Sequence, residues 1–228
     1  MRSHNLEIRL PDPGLVENSA TAEHCVHACF QMIFRTNLGG AVPSFDELDI
    51  IMLKKPGLYT WEHGLLARMP SFGFDTKIIW NFNLARLADD TGNYLIEHYG
   101  PEVGAENIRN SNLSDVALGA RTLLQSDVAI SHDELSLESI RELIADGYYI
   151  LVTINQRTLQ ADPGYVAHNV FLYGYSSRGV YIHNPGPPSN AAAEIPWDLF
   201  DKAWSYPDTK ARNIMAFRAR GKHGQYEK

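Results

Sequence analysis

The feature that most limits what this chain can become is the crowding of strand signals in its last third. Tyr148-Tyr149-Ile150-Leu151-Val152-Thr153-Ile154 is a nearly unbroken aromatic and β-branched run, opened by the turn pair Asp146-Gly147. A run without polar alternation reads as a strand buried on both faces. Val166 to Tyr175 and Gly179 to Asn184 follow, joined only by Ser176-Ser177-Arg178. A link of hairpin length makes those two strands antiparallel neighbours. Pro185-Gly186-Pro187-Pro188 ends the pairing, Trp197 to Trp204 has the pattern of an amphipathic helix, and Ile214 to Ala219 supplies a closing strand.

The first two thirds are mostly helical by the same criteria. Ala22, Val26, Cys29 or Phe30, Ile33 and Phe34 recur at steps of three and four along a helix from about Glu23 to Thr36, stopped at Asn37-Leu38-Gly39-Gly40. Ser44 and Glu47 form a capping pair for a second helix that ends at Pro56-Gly57. Thr60 is placed to cap a third, running to Met69. Thr76 to Trp80 reads as a short strand. Leu84 to His98 and Ser114 to Leu124 read as helices with acidic first turns, and Leu137 to Ala145 as one more. Helices first and strands later give an α+β class: a helical lobe over about residues 17–145 packed on a small antiparallel sheet lobe over about 148–219, within one domain spanning 1–228. The basic tail from Lys222 reads as a frayed end.

Composition narrows the function. With 44% hydrophobic residues against 21% charged, 228 residues suffice for a real core. Twenty basic against 27 acidic side chains leave a net charge of −7, which offers no positive field to a phosphate backbone, so nucleic acid is not an expected partner. No stretch approaches the roughly 20 apolar residues of a membrane span. Met1 to Pro11 carries charges where a signal peptide has an apolar run, so the expectation is a soluble cytoplasmic protein without a membrane partner. Only two cysteines are present, Cys25 and Cys29, and they cannot staple a chain of this length. A chemical use of cysteine follows as the question to ask.

Cys25 falls in the first turn of the first helix, where unpaired N–H groups and the helix dipole favour thiolate. Cys29, one turn further in among Phe30, Ile33 and Phe34, reads as a buried structural residue. A thiol nucleophile needs a base, and the base needs an orienting partner. His168 begins one strand and Asn184 ends the next, so antiparallel pairing carries them towards the same edge. Cysteine at a helix start, histidine about 140 residues on and asparagine soon after is the chain order of papain-like enzymes. Zinc is the rival use of these atoms, through His24, Cys25, His27 and Cys29. On one helix these point in different directions and no second pair completes a tetrahedron, so no metal or cofactor is expected.

Glu23-His24-Cys25-Val26-His27-Ala28-Cys29-Phe30-Gln31-Met32-Ile33 resembles the Asp-Cys-Gly-x-Ala-Cys-Leu-x-Met motif of papain-like cysteine peptidases related to the bacteriocin-processing, double-glycine-leader peptidases. His168 to Tyr175 is similar to that family's His-Φ-Val-Φ-Φ-Φ-Gly-Tyr strand. Val180 to Pro185 resembles its Val-Tyr-Φ-x-Asp-Pro strand, and Ile195 to Phe200 its Ile-x-Trp-x-x-Phe helix. The resemblance covers about residues 17–36 and 148–205. It implies a papain-like fold, Cys25 as nucleophile, His168 as general base, Asn184 as orienter and a peptide, protein or amide as substrate. The family's oxyanion-hole glutamine corresponds to Ser19, flanked by Asn18, so these two stand as the oxyanion candidates. Its glycine after the cysteine is Val26 here, and its aspartate is Asn184.

The reading is a thiol hydrolase acting through an acyl-enzyme, in a stand-alone form, because the exporter peptidases are fused to membrane and ATPase segments and this chain has neither. Acyl or peptidyl transfer through the same triad is one alternative. A peptide-binding module without turnover, suggested by the missing glutamine and by Val26, is another. Trp61, Glu62, His63, Trp80, Asn81, Tyr165 and Pro185 to Pro188 are candidates to line a substrate groove.

Overall fold

The computed structural model describes residues 7–221; the basic tail from Lys222 and residues 1–6 of the amino-terminal segment lie outside them. Strand β1 (Ile8–Arg9) precedes helices α1 (Cys25–Arg35), α2 (Phe45–Met52) and α3 (His63–Leu66), which lead to strand β2 (Phe74–Trp80). Helices α4 (Leu84–Asp89), α5 (Thr91–Arg109) and α6 (Leu113–Leu124) then run to β3 (Ala129–Ser131) and α7 (Leu137–Ala145). The remainder is β4 (Tyr149–Asn155), α8 (Gln156–Leu159), β5 (Ala167–Tyr175), β6 (Gly179–Asn184), β7 (Asn190–Pro196), α9 (Trp197–Trp204) and β8 (Asn213–Ala219). No helix among the described residues is long and apolar enough to cross a membrane.

The class is mixed α+β, but the sheet is larger than the strand signals of the last third imply. Among the described residues it has eight strands in the order β3-β2-β8-β4-β5-β6-β7, with β1 added beside β5. β2, from the amino-terminal half, pairs with β8 from Phe74↔Ala219 to Trp80↔Asn213, and among the described strands only β2 and β3 run parallel. Both faces are covered. Leu151, Phe171, Met215 and Phe217 point to a core shared with Phe30, Ile33, Leu48, Leu65, Leu87 and Val116 of the first helices. Val152, Val170, Leu172, Ile214 and Ala216 point the other way, onto Ile140 and Ile144 of α7 and Phe200 and Trp204 of α9. Burial on both sides is why β4 and β5 read as continuous apolar runs. α7 and α9, which lie between strands in the sequence, close the second face.

Local chemistry accounts for the helix boundaries. The Ser44–Glu47 capping box of α2 is present in full. α7 opens on an analogous reciprocal pair, Ser136 with Ser139. Thr60, by contrast, caps nothing: its Oγ1 is buried without a partner, and α3 starts only at His63 and gives way to a 3₁₀ turn over Met69–Phe72. The helix expected over Leu84 to His98 is broken at Asp90, whose φ/ψ of −141°/61° leaves the helical region, and Gly100-Pro101 kinks its continuation. Neither α4 nor α5 carries the expected acidic first turn; α6 has Asp115.

Candidate active site

Cys25 is the first residue of α1, so its own N–H and those just after it have no intrahelical acceptor. The loop before it is fixed by Asn18. Its Oδ1 accepts from the backbone N–H of Ser19 at 2.9 Å and of His24 at 2.6 Å, while its Nδ2 donates to the Gly186 carbonyl at 2.8 Å. The Asn18 N–H donates to the Pro185 carbonyl at 3.0 Å. The start of α1 is thereby tied to the chain leaving β6.

That tie brings Cys25 to the start of β5. His168 is 3% exposed and its Nε2 stands 2.8 Å from Asn184 Oδ1, so Nδ1 is the ring nitrogen left for Cys25, whose ionisation the imidazole favours. Burial opposes ionisation of that thiol. The hydrogen bond and charge of His168, joined by the backbone N–H groups of Asn169 and Val26, outweigh burial and bring the Cys25 pKa below its ordinary value. Burial likewise pulls His168 down, but its hydrogen bond to Cys25, the charge there and Asn184 raise it on balance. Both shifts favour a thiolate–imidazolium pair. Cys29 behaves oppositely: it is fully buried, and burial followed by the charge of Cys25 pushes its thiol well up.

Cys25, Asn169 and His168 open onto a cavity of about 430 Å³. Trp61, Glu62, His63, Trp80 and Tyr165 line it together with Gly186 and Pro187, whereas Asn81, Pro185 and Pro188 do not. Asn18 and Ser19 do not line it either. Asn18 is engaged with backbone as described, and the Ser19 hydroxyl contacts Thr21 Oγ1 at 3.0 Å and His24 Nδ1 at 2.7 Å.

No family model matches this chain, and no curated protein matches it. Two solved chains match. One is a Bacillus anthracis protein provisionally described as a C39-like peptidase, at 17% identity and a TM-score of 0.31, over 48% of this chain and 60% of that one. The chain thus spans less than two thirds of that structure.

The metal-type residues of α1 separate by direction. His24 and His27 do share a side, with ring centroids 4.6 Å apart, and both face Asp49 of α2: His24 Nε2 lies 3.3 Å and His27 Nε2 2.8 Å from its Oδ1. Cys25 and Cys29 are not part of this trio. Three such donors need a fourth ligand or water to make a zinc site. Sequence spacing shows neither Asp49, which arrives from another helix, nor Tyr59 and Tyr99, which also line the cavity. Asn169 is equally invisible to it, since that residue acts through its backbone.

Proposed function

We propose that this chain is a papain-like thiol hydrolase, of the C39-like kind, that opens a peptide or amide bond through a cysteine acyl-enzyme. The observation that carries the reading is the relay from a helix-start thiol through His168 to Asn184 Oδ1 at 2.8 Å. The Cys25 thiolate attacks the carbonyl carbon, and the oxyanion that forms meets the unpaired first-turn N–H of Cys25. His168, protonated in the pair, passes its proton to the leaving amine as the acyl-enzyme forms. It then takes a proton from water, whose attack on the thioester releases the acid and restores the thiolate–imidazolium pair. An amine in place of that water gives acyl transfer from the same intermediate.

Alkylation of Cys25 by iodoacetamide across pH tests the reading. The expected profile turns on below the ordinary thiol range and moves up in His168→Ala. Cys25→Ala is expected to abolish turnover in a screen of amide substrates. A Cys25 that reacts no faster than free cysteine, with amide turnover surviving in Cys25→Ala, would sink the proposal. A second reading, a peptide-binding module without turnover, draws on the absence of Asn18 and Ser19 from the cavity wall; it expects the ion pair in the alkylation profile and no substrate in the screen.

A further inference from the structure

Three carboxylates bear on the cavity or stand behind its wall, and two of them are matched. Glu23 accepts from Lys54 Nζ and from the Gly57 N–H, each at 2.9 Å. Glu106, behind Tyr59 and Tyr165, pairs with Arg109 and accepts from Asn110 Nδ2 at 2.7 Å. Glu62 has no such match. It is 9% exposed, it lines the cavity, and its own backbone N–H is the one donor among the described residues that helps its carboxylate. Burial accordingly pushes its pKa up to about 7. Arg157, the cation that also lines the cavity, is held 3.3 Å from Asp162 instead.

The lining beside Glu62 is aromatic: Tyr59, Trp61, Phe82, Tyr99 and Tyr165. Tyr99 is near enough for the charge of Glu62 to add to the upward push that burial and Tyr165 give its hydroxyl. Ring faces attract a cation through their quadrupole, and a desolvated carboxylate supplies its counter-charge. We propose that this subsite takes a positively charged nitrogen of the substrate, an alkylammonium or guanidinium substituent, with Glu62 as its counter-ion. The inference rests on Cys25 being the nucleophile and adds which group is presented to it. The net charge of −7 favours the approach of such substrates.

Methanethiosulfonates with different tails test this without a known substrate. The thiolate attacks the sulfenyl sulfur, a mixed disulfide forms and methanesulfinate leaves, so the chemistry is constant while the tail is trimethylammonioethyl, neutral ethyl or sulfonatoethyl. Rates at Cys25, followed by mass spectrometry at about pH 8 and normalised to free cysteine, are expected to favour the cationic tail over the neutral one about tenfold. The sulfonate is expected to be slowest, although imidazolium and the helix start alone would favour it. Glu62→Gln is expected to erase the cationic preference. In the unmutated protein n-butylammonium should protect Cys25 from the neutral reagent and n-pentanol should not, an arm independent of how the variant folds. Rates blind to charge, or a cationic preference unchanged in Glu62→Gln, overturn the subsite while fast reaction with the neutral reagent leaves the nucleophile standing. Reaction no faster than free cysteine with all three reagents overturns both.

Discussion

Asn184 Oδ1 serves two donors at once, His168 Nε2 at 2.8 Å and the Gly186 N–H at 2.9 Å. A carboxamide oxygen has two lone pairs, so neither contact excludes the other. The first fixes the plane of the imidazole and leaves Nδ1 as the ring nitrogen available to the thiol; the second holds the chain that Asn18 also grips. Asn184→Ala is therefore expected to slow Cys25 alkylation at neutral pH by about tenfold or more, and Asn184→Asp, which keeps an acceptor, to restore most of it. An alanine variant within about twofold of the parent would mean that something else orients the ring. Cys25, His168 and Asn184 are legible as candidates in the sequence because each combines a reactive type with an element end, and element ends are what sequence patterns mark. Asn18 and Ser19 are reached only by counting back from the cysteine. Counting gives a residue's distance along the chain and says nothing of where its side chain turns, and here the Asn18 carboxamide is spent on backbone.

At the level of elements, the start of α1 depends on a residue outside the helix. His24 at the N-cap position makes no side-chain capping bond, and Asn18 takes the His24 N–H instead. Asn18→Ala removes that acceptor and the donor to Gly186, and is expected to lower stability by about 1–2 kcal/mol in urea unfolding and to slow Cys25 alkylation as well. Asn18→Asp keeps the acceptor for the two N–H groups and loses only the Gly186 bond, so it should fall between. An alanine variant of parental stability would show that the α1–β6 tie is not needed. Elements with their own signals are readable from their residues alone. α9 covers the span that its amphipathic pattern marks, Trp197–Trp204, and α7 the span Leu137–Ala145. β7 is not readable in that way, because Asn190-Ala191-Ala192-Ala193 has no strand propensity and is extended by pairing with the edge of β6, as in Ile182↔Ala193. β1 is two residues long and depends on Gly174, where any Cβ would stand 2.5 Å from the Ile8 carbonyl oxygen. Partners, more than local preference, make such strands.

Across the whole molecule, one sheet divides two unlike helical layers, and the layer of α1 to α6 carries a titratable weakness. His27 of α1, His63 of α3 and His98 of α5 are all buried there, and burial is the first cause that brings each down to about 4 from an ordinary 6.5. Between those values the unfolded chain binds protons that the folded chain refuses, so acidification through this window favours unfolding. Glu62 works against them: folded it keeps its proton up to about 7, unfolded it loses it near 4.5, and so it stabilises the fold towards the acid side of that range. Three histidines outweigh one carboxyl, and the net expectation is a loss of a few kcal/mol, at about 1.4 kcal/mol per pKa unit, between about pH 6.5 and 4.5. Urea unfolding across that range measures it, with the midpoint falling as the pH drops. His63 lines the cavity, so the same acidification should blunt Cys25 alkylation beyond what thiolate protonation explains. His98→Phe, which removes one of the three titrations away from the cavity wall, should flatten the slope. A midpoint that holds steady or rises on acidification would show that these histidines accept protons in the folded state, and that the helical layer opens to water where the structure draws it closed.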